Sequence, residues 1–312
     1  MKKKVLITGG GGFVGANAVR AFLAMGKEVH VLEYPGCDLW RLKDIQEKIT
    51  VHTADIANYE ELEPLIQNIK PEVILHFAAY GAYQGTQQDV EKTIQTNLLG
   101  TINLVRSCSK VGFRAFVHTG SSSEYGIKDQ PMKETDTLEA YNLYGITKAA
   151  ATLYCQNAAK KDGLPIVIIR PFAVYGPFEE QTRLIPTLVM SYLKGESPKL
   201  STSDSVRDFV FVEDVVAAYM AAIQNIEKAK GEIFNVGTGV QYTIGQAADM
   251  VQNIIGSNLK PEYGQIPQAQ KEPTHWVADI SKAKALLGWQ PGYTIEQGLD
   301  KTIRWFKEFY NL

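Results

Sequence analysis

The stretch Thr8-Gly9-Gly10-Gly11-Gly12-Phe13-Val14-Gly15 follows an apolar, β-branched run, Lys4–Thr8, and opens a segment of helical periodicity. A glycine turn between strand and helix leaves backbone amides at the positive end of the helix with no side chain in the way, which is what a diphosphate needs. Gly9, Gly12 and Gly15 stand at i, i+3 and i+6, and Gly10, Gly12 and Gly15 also satisfy G-x-G-x-x-G. Glycines occur in any tight turn, so the spacing alone says little. Its place at the first strand–helix junction of an α/β chain is what points to a dinucleotide site.

That α/β character comes from the alternation that follows. Lys4–Thr8, Glu28–Glu33, Ile49–Thr53, Glu72–Phe77, Arg114–Thr119 and Pro165–Arg170 read as buried strands. Helical patterns lie between them. From Gln87 to Val111, for instance, Val90, Ile94, Asn97, Leu98, Thr101, Ile102 and Val105 recur at steps of three and four. Strand then helix, repeated with right-handed crossovers, predicts an α/β, doubly wound parallel (Rossmann) sheet. After Arg170 the prolines 171, 177, 186, 198, 261, 267, 273 and 291 break the chain into shorter pieces, which we read as a smaller C-terminal substrate lobe. Arg207–Ile226 again looks like strand then helix and Glu232–Val236 like a strand, so the lobes are expected to be discontinuous. The division is 1–170 plus about 207–237 for the dinucleotide domain, and about 171–206 plus 238–312 for the lobe.

Composition bears on the ligand. The 312 residues carry 32 Lys and Arg against 34 Asp and Glu, a net charge of −2, so no basic surface gathers nucleic acid and an anionic ligand must be held by local donors. Cys37, Cys108 and Cys155 are too few and scattered for a disulfide framework or zinc site and are expected to be buried small hydrophobes. The lysines at 2–4 precede an apolar run too short for a secretion signal, and no window reaches the roughly 18 to 20 apolar residues of a membrane span. A soluble cytoplasmic protein with a small-molecule ligand and no metal is the expectation.

About twenty residues after the loop, the second strand ends in Glu33. A carboxylate there accepts both hydroxyls of an adenosine ribose and repels a 2′-phosphate, favouring NAD over NADP; the alternative is a solvated strand-end acid. Arg41 is near enough in sequence to keep NADP open. Asp55, after the third strand, is placed either to accept from an adenine amino group or, like Asn58, to cap a helix.

Tyr144-Gly145-Ile146-Thr147-Lys148 sets a phenol and an ammonium four residues apart, on one helix face. A free phenol, with a pKa of about 10, is a poor base at neutral pH, and a fixed positive charge beside it is what lets it take a proton from an alcohol. A surface tyrosine with a snorkelling lysine is the competing explanation. The strand before them ends in Gly120-Ser121-Ser122-Ser123-Glu124-Tyr125-Gly126, hydroxyls at the carboxyl edge of the sheet where such folds bind ligands. A Ser-rich turn bonded to its own backbone is the alternative there.

Taken in order, these motifs resemble the extended short-chain dehydrogenase/reductase family, in its NAD-dependent nucleotide-sugar epimerase/dehydratase branch. Further matches run from residue 4 to about 291: His76-Phe77-Ala78-Ala79, Asn97-Leu98-Leu99-Gly100-Thr101, Arg170-Pro171-Phe172-Ala173-Val174-Tyr175-Gly176-Pro177, Arg207-Asp208-Phe209-Val210-Phe211-Val212-Glu213-Asp214-Val215, Asn235-Val236-Gly237-Thr238-Gly239 and Leu287-Gly288-Trp289-Gln290-Pro291. The resemblance implies that Gly9, Gly12, Phe13, Val14 and the helix opening at Gly15 hold the cofactor diphosphate, Glu33 the ribose, and Asp55 and Ile56 the adenine. Phe77, Ala78 and Ala79 would flank the adenosine. Tyr144 would be the acid/base, with Lys148 tuning it and holding the nicotinamide ribose, and Ser121 or Ser122 the partner hydroxyl. Asn97 would order the nearby helix. Ser122 and Glu124 would touch the sugar, and Arg207 the substrate diphosphate, unless Arg207 pairs with Asp208 or Asp214.

Three departures stand out. The serine loop is one residue short, so counting back from Tyr125 selects Ser121 while aligning Glu124 selects Ser122. Dehydratases carry an acidic pair after the hydroxyl, which only the second alignment partly supplies. Ala173 and Gln270-Lys271 replace an Asn and an Arg often found in the sugar pocket. The implied activity is an NAD-dependent nucleotide-sugar 4-epimerase working through a 4-keto intermediate, as a homodimer. The alternatives are a 4,6-dehydratase, an NAD(P)H-dependent 4-ketoreductase similar to those making CDP-linked dideoxy sugars, and a non-catalytic dinucleotide sensor.

Overall fold

The computed structural model describes residues 3–82, 89–266 and 273–312. Its main sheet holds β1 (Lys4–Thr8), β2 (Glu28–Glu33), β3 (Thr50–Thr53), β4 (Val73–His76), β5 (Ala115–Thr119), β6 (Ile166–Pro171) and, from later in the chain, β11 (Ile233–Val236). All pairings within it are parallel, in the order β11-β6-β5-β4-β1-β2-β3. β1 pairs with both β2 and β4, so the winding reverses there and opens a crevice at the carboxyl ends of the strands.

Strand side chains alternate faces, and both faces are buried. Val5 and Ile7 join one core with Val117, Val167 and Ile169, while Leu6 joins the opposite core with Phe116, Ile166 and Ile168. The helices α1 (Phe13–Ala24) and α7 (Val212–Gln224) cover the first face through Ala16, Val19, Val215 and Tyr219. On the other face lie α2 (Tyr59–Ile69), α4 (Gly100–Val111) and α5 (Leu143–Asp162), contributing Leu62, Ile66, Leu104, Cys108 and Cys155. The predicted helix over 87–111 is divided: α3 (Val90–Ile94), a π turn over Gln95–Leu99, then α4. Residues 87 and 88 of that prediction lie outside the described residues, as do Gln270 and Lys271.

The smaller lobe is built from two-stranded pairs: β7 (Ala173–Tyr175) with β10 (Phe209–Phe211), β8 (Lys199–Leu200) with β13 (Glu262–Tyr263), and β9 (Val206–Arg207) with β12 (Tyr242–Thr243). α6 (Leu184–Leu193), α9 (Ile244–Ile255) and α10 (Ile295–Tyr310) pack a separate core through Leu188, Val189, Ala247, Val251, Leu299 and Phe306. The short α8 (Ile226–Ala229) leads into β11, which returns to the edge of the main sheet as the sequence suggested. The strand part of the predicted Arg207–Ile226 unit differs from expectation: it pairs in the small sheets, and the chain crosses back only at Val212 with α7.

Candidate active site

A cleft of about 1130 Å³ opens at the reversal point and is walled by both lobes. Its floor is the glycine turn. Gly9 sits at φ 70°, and a Cβ there would lie 2.6 Å from Ala78 N, so the turn can press against the end of β4 only without a side chain. A Cβ on Gly15 would overlap Gly9 O, which explains a third glycine one turn into α1. α1 starts at Gly12 with no side-chain cap and no acidic residue in its first turn, and Phe13 and Val14 line the cleft. Unsatisfied amides at a helix start are an anion site. The residues therefore fit a dinucleotide diphosphate.

Glu33 is buried, with Oε1 accepting from Gly11 N at 2.5 Å, and burial raises its carboxyl above the ordinary value. It lines the cleft, so it is not the solvated strand-end acid. Cys37 is half-buried beside it in the cleft wall, contrary to the buried reading, and its thiol is pushed up to about 12 by burial and by Glu33. Arg41 is committed elsewhere: Nε donates to Phe178 O (2.7 Å), Nη1 to Gly11 O (3.4 Å) and Nη2 to Glu180 (3.0 Å). A guanidinium so engaged is not offered to a 2′-phosphate. Asn58 caps α2 by accepting from Glu61 N, while Asp55 closes a turn onto Ala57 N at 2.8 Å and lines the cleft beside Ile56. Phe77, Ala78 and Ala79 form the neighbouring wall.

Asn142 caps α5 by accepting from Gly145 N at 2.7 Å, and a side chain at Gly145 would press on Ser123 O, so this glycine lets α5 start against the serine loop. Tyr144 lines the cleft. Lys148, one turn on, is 1 % exposed, which removes the snorkelling explanation. Burial pulls its ammonium down to about 8, with Glu124 pulling the other way. Asn97 orders this region as expected: Oδ1 accepts from Tyr80 N (2.7 Å), while Nδ2 donates to Tyr80 O (2.9 Å) and to Thr147 Oγ1 (3.0 Å).

Ser121 and Ser122 both reach the cleft wall. Ser121 Oγ accepts from Ser123 N (3.1 Å) as the cap of a 3₁₀ turn, whereas Ser122 is the first residue of that turn and is 6 % exposed. Glu124 is placed elsewhere than expected. It is 0 % exposed, outside the cleft lining, with Oε1 accepting from Ser121 N (2.7 Å) and Thr152 Oγ1 (3.0 Å) and Oε2 from Arg170 Nε (2.8 Å). The sugar contact expected of Glu124 is thus replaced by a buried ion pair that joins the serine loop to α5 and β6. Arg170 was missed, although an arginine ending the run Ile166–Pro171 signals a buried charge needing a partner.

Arg207 and Ala173 line the lobe side of the cleft. The alternative pairings of Arg207 are not what Asp208 and Asp214 do: Asp208 accepts from Thr238, Gly239 and Ala278 amides, and Asp214 from those of Gly292 and Tyr293. Glu179, also unremarked in the sequence, lines the same cleft.

The chain is similar to known proteins over nearly its whole length. UDP-glucose 4-epimerase of Lactobacillus helveticus is 28 % identical over 326 residues, covering 97 % of each chain. A crystal structure of UDP-glucose 4-epimerase from Thermotoga maritima with UDP-glucose superposes with a TM-score of 0.90 at 27 % identity, covering 98 % of this chain and 99 % of that one. UDP-glucuronic acid 4-epimerase from Bacillus cereus, solved with UDP-glucuronic acid and NAD, gives 0.87 at 26 % identity over 98 % and 100 %. Residues 5–237 match the family profile itself, and the chain belongs to the NAD dependent epimerase/dehydratase family.

Proposed function

We propose that this chain is an NAD-dependent nucleotide-sugar 4-epimerase. The observation that carries the reading is Tyr144 on the wall of a glycine-floored cleft, one helical turn from a buried lysine, with the nearby acid Glu124 fully engaged in a structural pair. Gly9, Gly12, Phe13, Val14 and Glu33 would hold NAD, which when bound would supply a hydride acceptor for C4 of the sugar and a donor for the return step. Tyr144, as phenolate, takes the 4-hydroxyl proton as the C4–H bond breaks, and gives it back when the 4-keto sugar is reduced on its other face. A positioned base of this kind contributes roughly 10² to 10⁴ in rate. Lys148 holds positive charge beside the phenolate, and Ser122, on the cleft wall and not used as the cap that Ser121 provides, is the donor we assign to the keto oxygen. Arg207, from the smaller lobe, is assigned to the sugar-nucleotide diphosphate, where a guanidinium fork suits phosphate oxygens. With both Glu124 oxygens occupied, no acid from the serine loop is available to expel a C6 hydroxyl, which argues against dehydration.

Incubation with UDP-, GDP-, dTDP- and CDP-hexoses, read by mass and NMR, tests this. Unchanged mass with inversion at C4 is expected. Loss of water, or a strict need for added NADPH, would replace the proposal by the dehydratase or ketoreductase. Tyr144→Phe is expected to lower kcat by about 10² to 10⁴; an unaltered rate would remove Tyr144 as the acid/base, and no turnover of any of these sugars by the native chain would leave only a sensor.

No helix among the described residues is long and apolar enough to cross a membrane. We place the enzyme in the cytoplasm as a homodimer through α3, α4 and α5. Val90 and Ile94 on α3, Leu99 in the π turn, and Ile146 and Leu153 on α5 stand exposed, apolar surface that we assign to the contact with a second copy. Light scattering behind size exclusion checks the mass in solution.

A further inference from the structure

Glu179 sits in a strap over residues 177–183 that joins the lobes after β7. The strap is pinned to the dinucleotide side: Asn17 Nδ2, on α1, donates to Pro177 O (2.9 Å), Arg41 Nε to Phe178 O (2.7 Å), and Arg41 Nη2 pairs with Glu180 (3.0 Å). Phe178 adopts φ 71°, a region that costs a residue with a Cβ on the order of 1–3 kcal/mol. Its ring is held between the Arg20 guanidinium, 4.0 Å from its centroid, and Trp305, 4.6 Å away. The direction of Glu179 is therefore set by its neighbours.

That direction leaves an unanswered group. Glu179 is 6 % exposed; its backbone N donates to Gly176 O (3.3 Å), and Oε1 lies 3.9 Å from Arg183 Nε. Oε2 is buried and among the described residues has no hydrogen-bond partner, although the side chain lines the cleft that holds the glycine turn. It also borders a recess of about 300 Å³ beside Trp40 and Phe309. An unsatisfied buried oxygen is costly, and on a ligand wall its natural partner is a ligand atom.

We propose that Glu179 is a ligand-binding residue that acts as a neutral carboxylic acid, donating a hydrogen bond from Oε2 to a diphosphate oxygen in the cleft. Dinucleotide and nucleotide sugar both carry that group. The pinning to α1 and, through Arg41, to Gly11 assigns it to the dinucleotide, so the inference rests on the cleft being the NAD site. Burial pushes the Glu179 carboxyl up to about 8, against the pull of Arg183. The other charged and titratable neighbours are engaged: Glu180 by Arg41, Arg20 by Asp44, Tyr175 through its donation to Ile295 O, and Tyr310 as acceptor from Gln181. A carboxylate in this place would face the phosphate with like charge, whereas the acid donates to it.

The test is the Kd for NAD, by exchange with labelled NAD on the purified enzyme at pH 7 and at pH 9.5, for the native chain, Glu179→Gln and Glu179→Ala. UDP-glucose is titrated in parallel, and melting curves verify that each variant is folded. Native affinity for NAD is expected to fall above the carboxyl's raised pKa, by up to about tenfold per pH unit for one linked proton. Glu179→Gln, which keeps a neutral donor, should match the native chain at pH 7 and lose that fall; Glu179→Ala should bind about tenfold more weakly at pH 7. Other titrating groups, Lys148 included, are common to the native chain and Glu179→Gln, so the difference isolates residue 179. Changes confined to UDP-glucose would uphold the acid and move it to the substrate diphosphate, overturning the dinucleotide assignment. Equal pH dependence in the native chain and Glu179→Gln, or native binding of both ligands by Glu179→Ala, overturns the proposal. Failure of the native chain to bind NAD at all would instead defeat the reading of the cleft.

Discussion

Lys148 is a cation buried at 1 % exposure, one helical turn from Tyr144, and that placement should cost stability in a measurable way. Burial takes its ammonium from 10.5 down to about 8, even with Glu124 opposing. At about 1.4 kcal/mol per pH unit, the folded chain carries a penalty of about 3 kcal/mol for keeping this lysine charged. Lys148→Met retains most of the apolar stem and removes the charge. It should therefore abolish turnover while raising the unfolding free energy at pH 7 by up to about 3 kcal/mol. The sign with pH follows from proton counts. Below about 8 the lysine is charged folded and unfolded, and the full penalty applies. Between about 8 and 10.5 the unfolded chain binds more protons than the folded one, so native stability climbs and the gap to Lys148→Met closes. Urea unfolding of both proteins, stripped of nucleotide, at pH 7, 9 and 11 measures it. A variant less stable than the native chain at pH 7, or a gap that persists unchanged to pH 11, would refute the argument that desolvation governs this site.

Glu124→Gln leaves the Arg170 guanidinium, 1 % exposed, without its counter-charge, and should lower stability by about 3–5 kcal/mol in urea unfolding. The double variant Glu124→Gln, Arg170→Met, lacking both charges, should recover much of that loss, and failure to do so would show that lost packing and hydrogen bonding, rather than the unpaired charge, set it. Gly15→Ala puts a methyl into Gly9 O and should weaken NAD binding at least tenfold through displacement of α1; calorimetric titration with NAD decides. Glu33→Ala removes the carboxylate that faces the cleft and should narrow the preference for NAD over NADP about tenfold, as read from the two Kd values.

How far the sequence reached depends on the range of the forces involved. β1 and β2 begin and end where their β-branched runs do, because a parallel strand buried on both faces has no other way to be written. The glycine turn, the acid closing β2, and a phenol and ammonium one turn apart on α5 are equally local. Each follows from the geometry of a few consecutive residues, and so the glycine turn, Glu33 and the Tyr144–Lys148 spacing are legible in the chain alone. Tertiary structure decided what depends on partners far along it. Glu124 becomes a structural ion rather than a sugar contact because Arg170, 46 residues later, reaches it first. Arg41 is withdrawn from the nucleotide by the carbonyl of Phe178, 137 residues away. The crossing back to the main sheet starts at Val212 because the strands before it find pairing partners in β7 and β12, and nothing in their own pattern names those partners. The proton affinities of Lys148 and Glu179 are likewise not written in the sequence. Only the packing that excludes water from them gives one a lowered and the other a raised proton affinity, since desolvation is a property of the assembled interior.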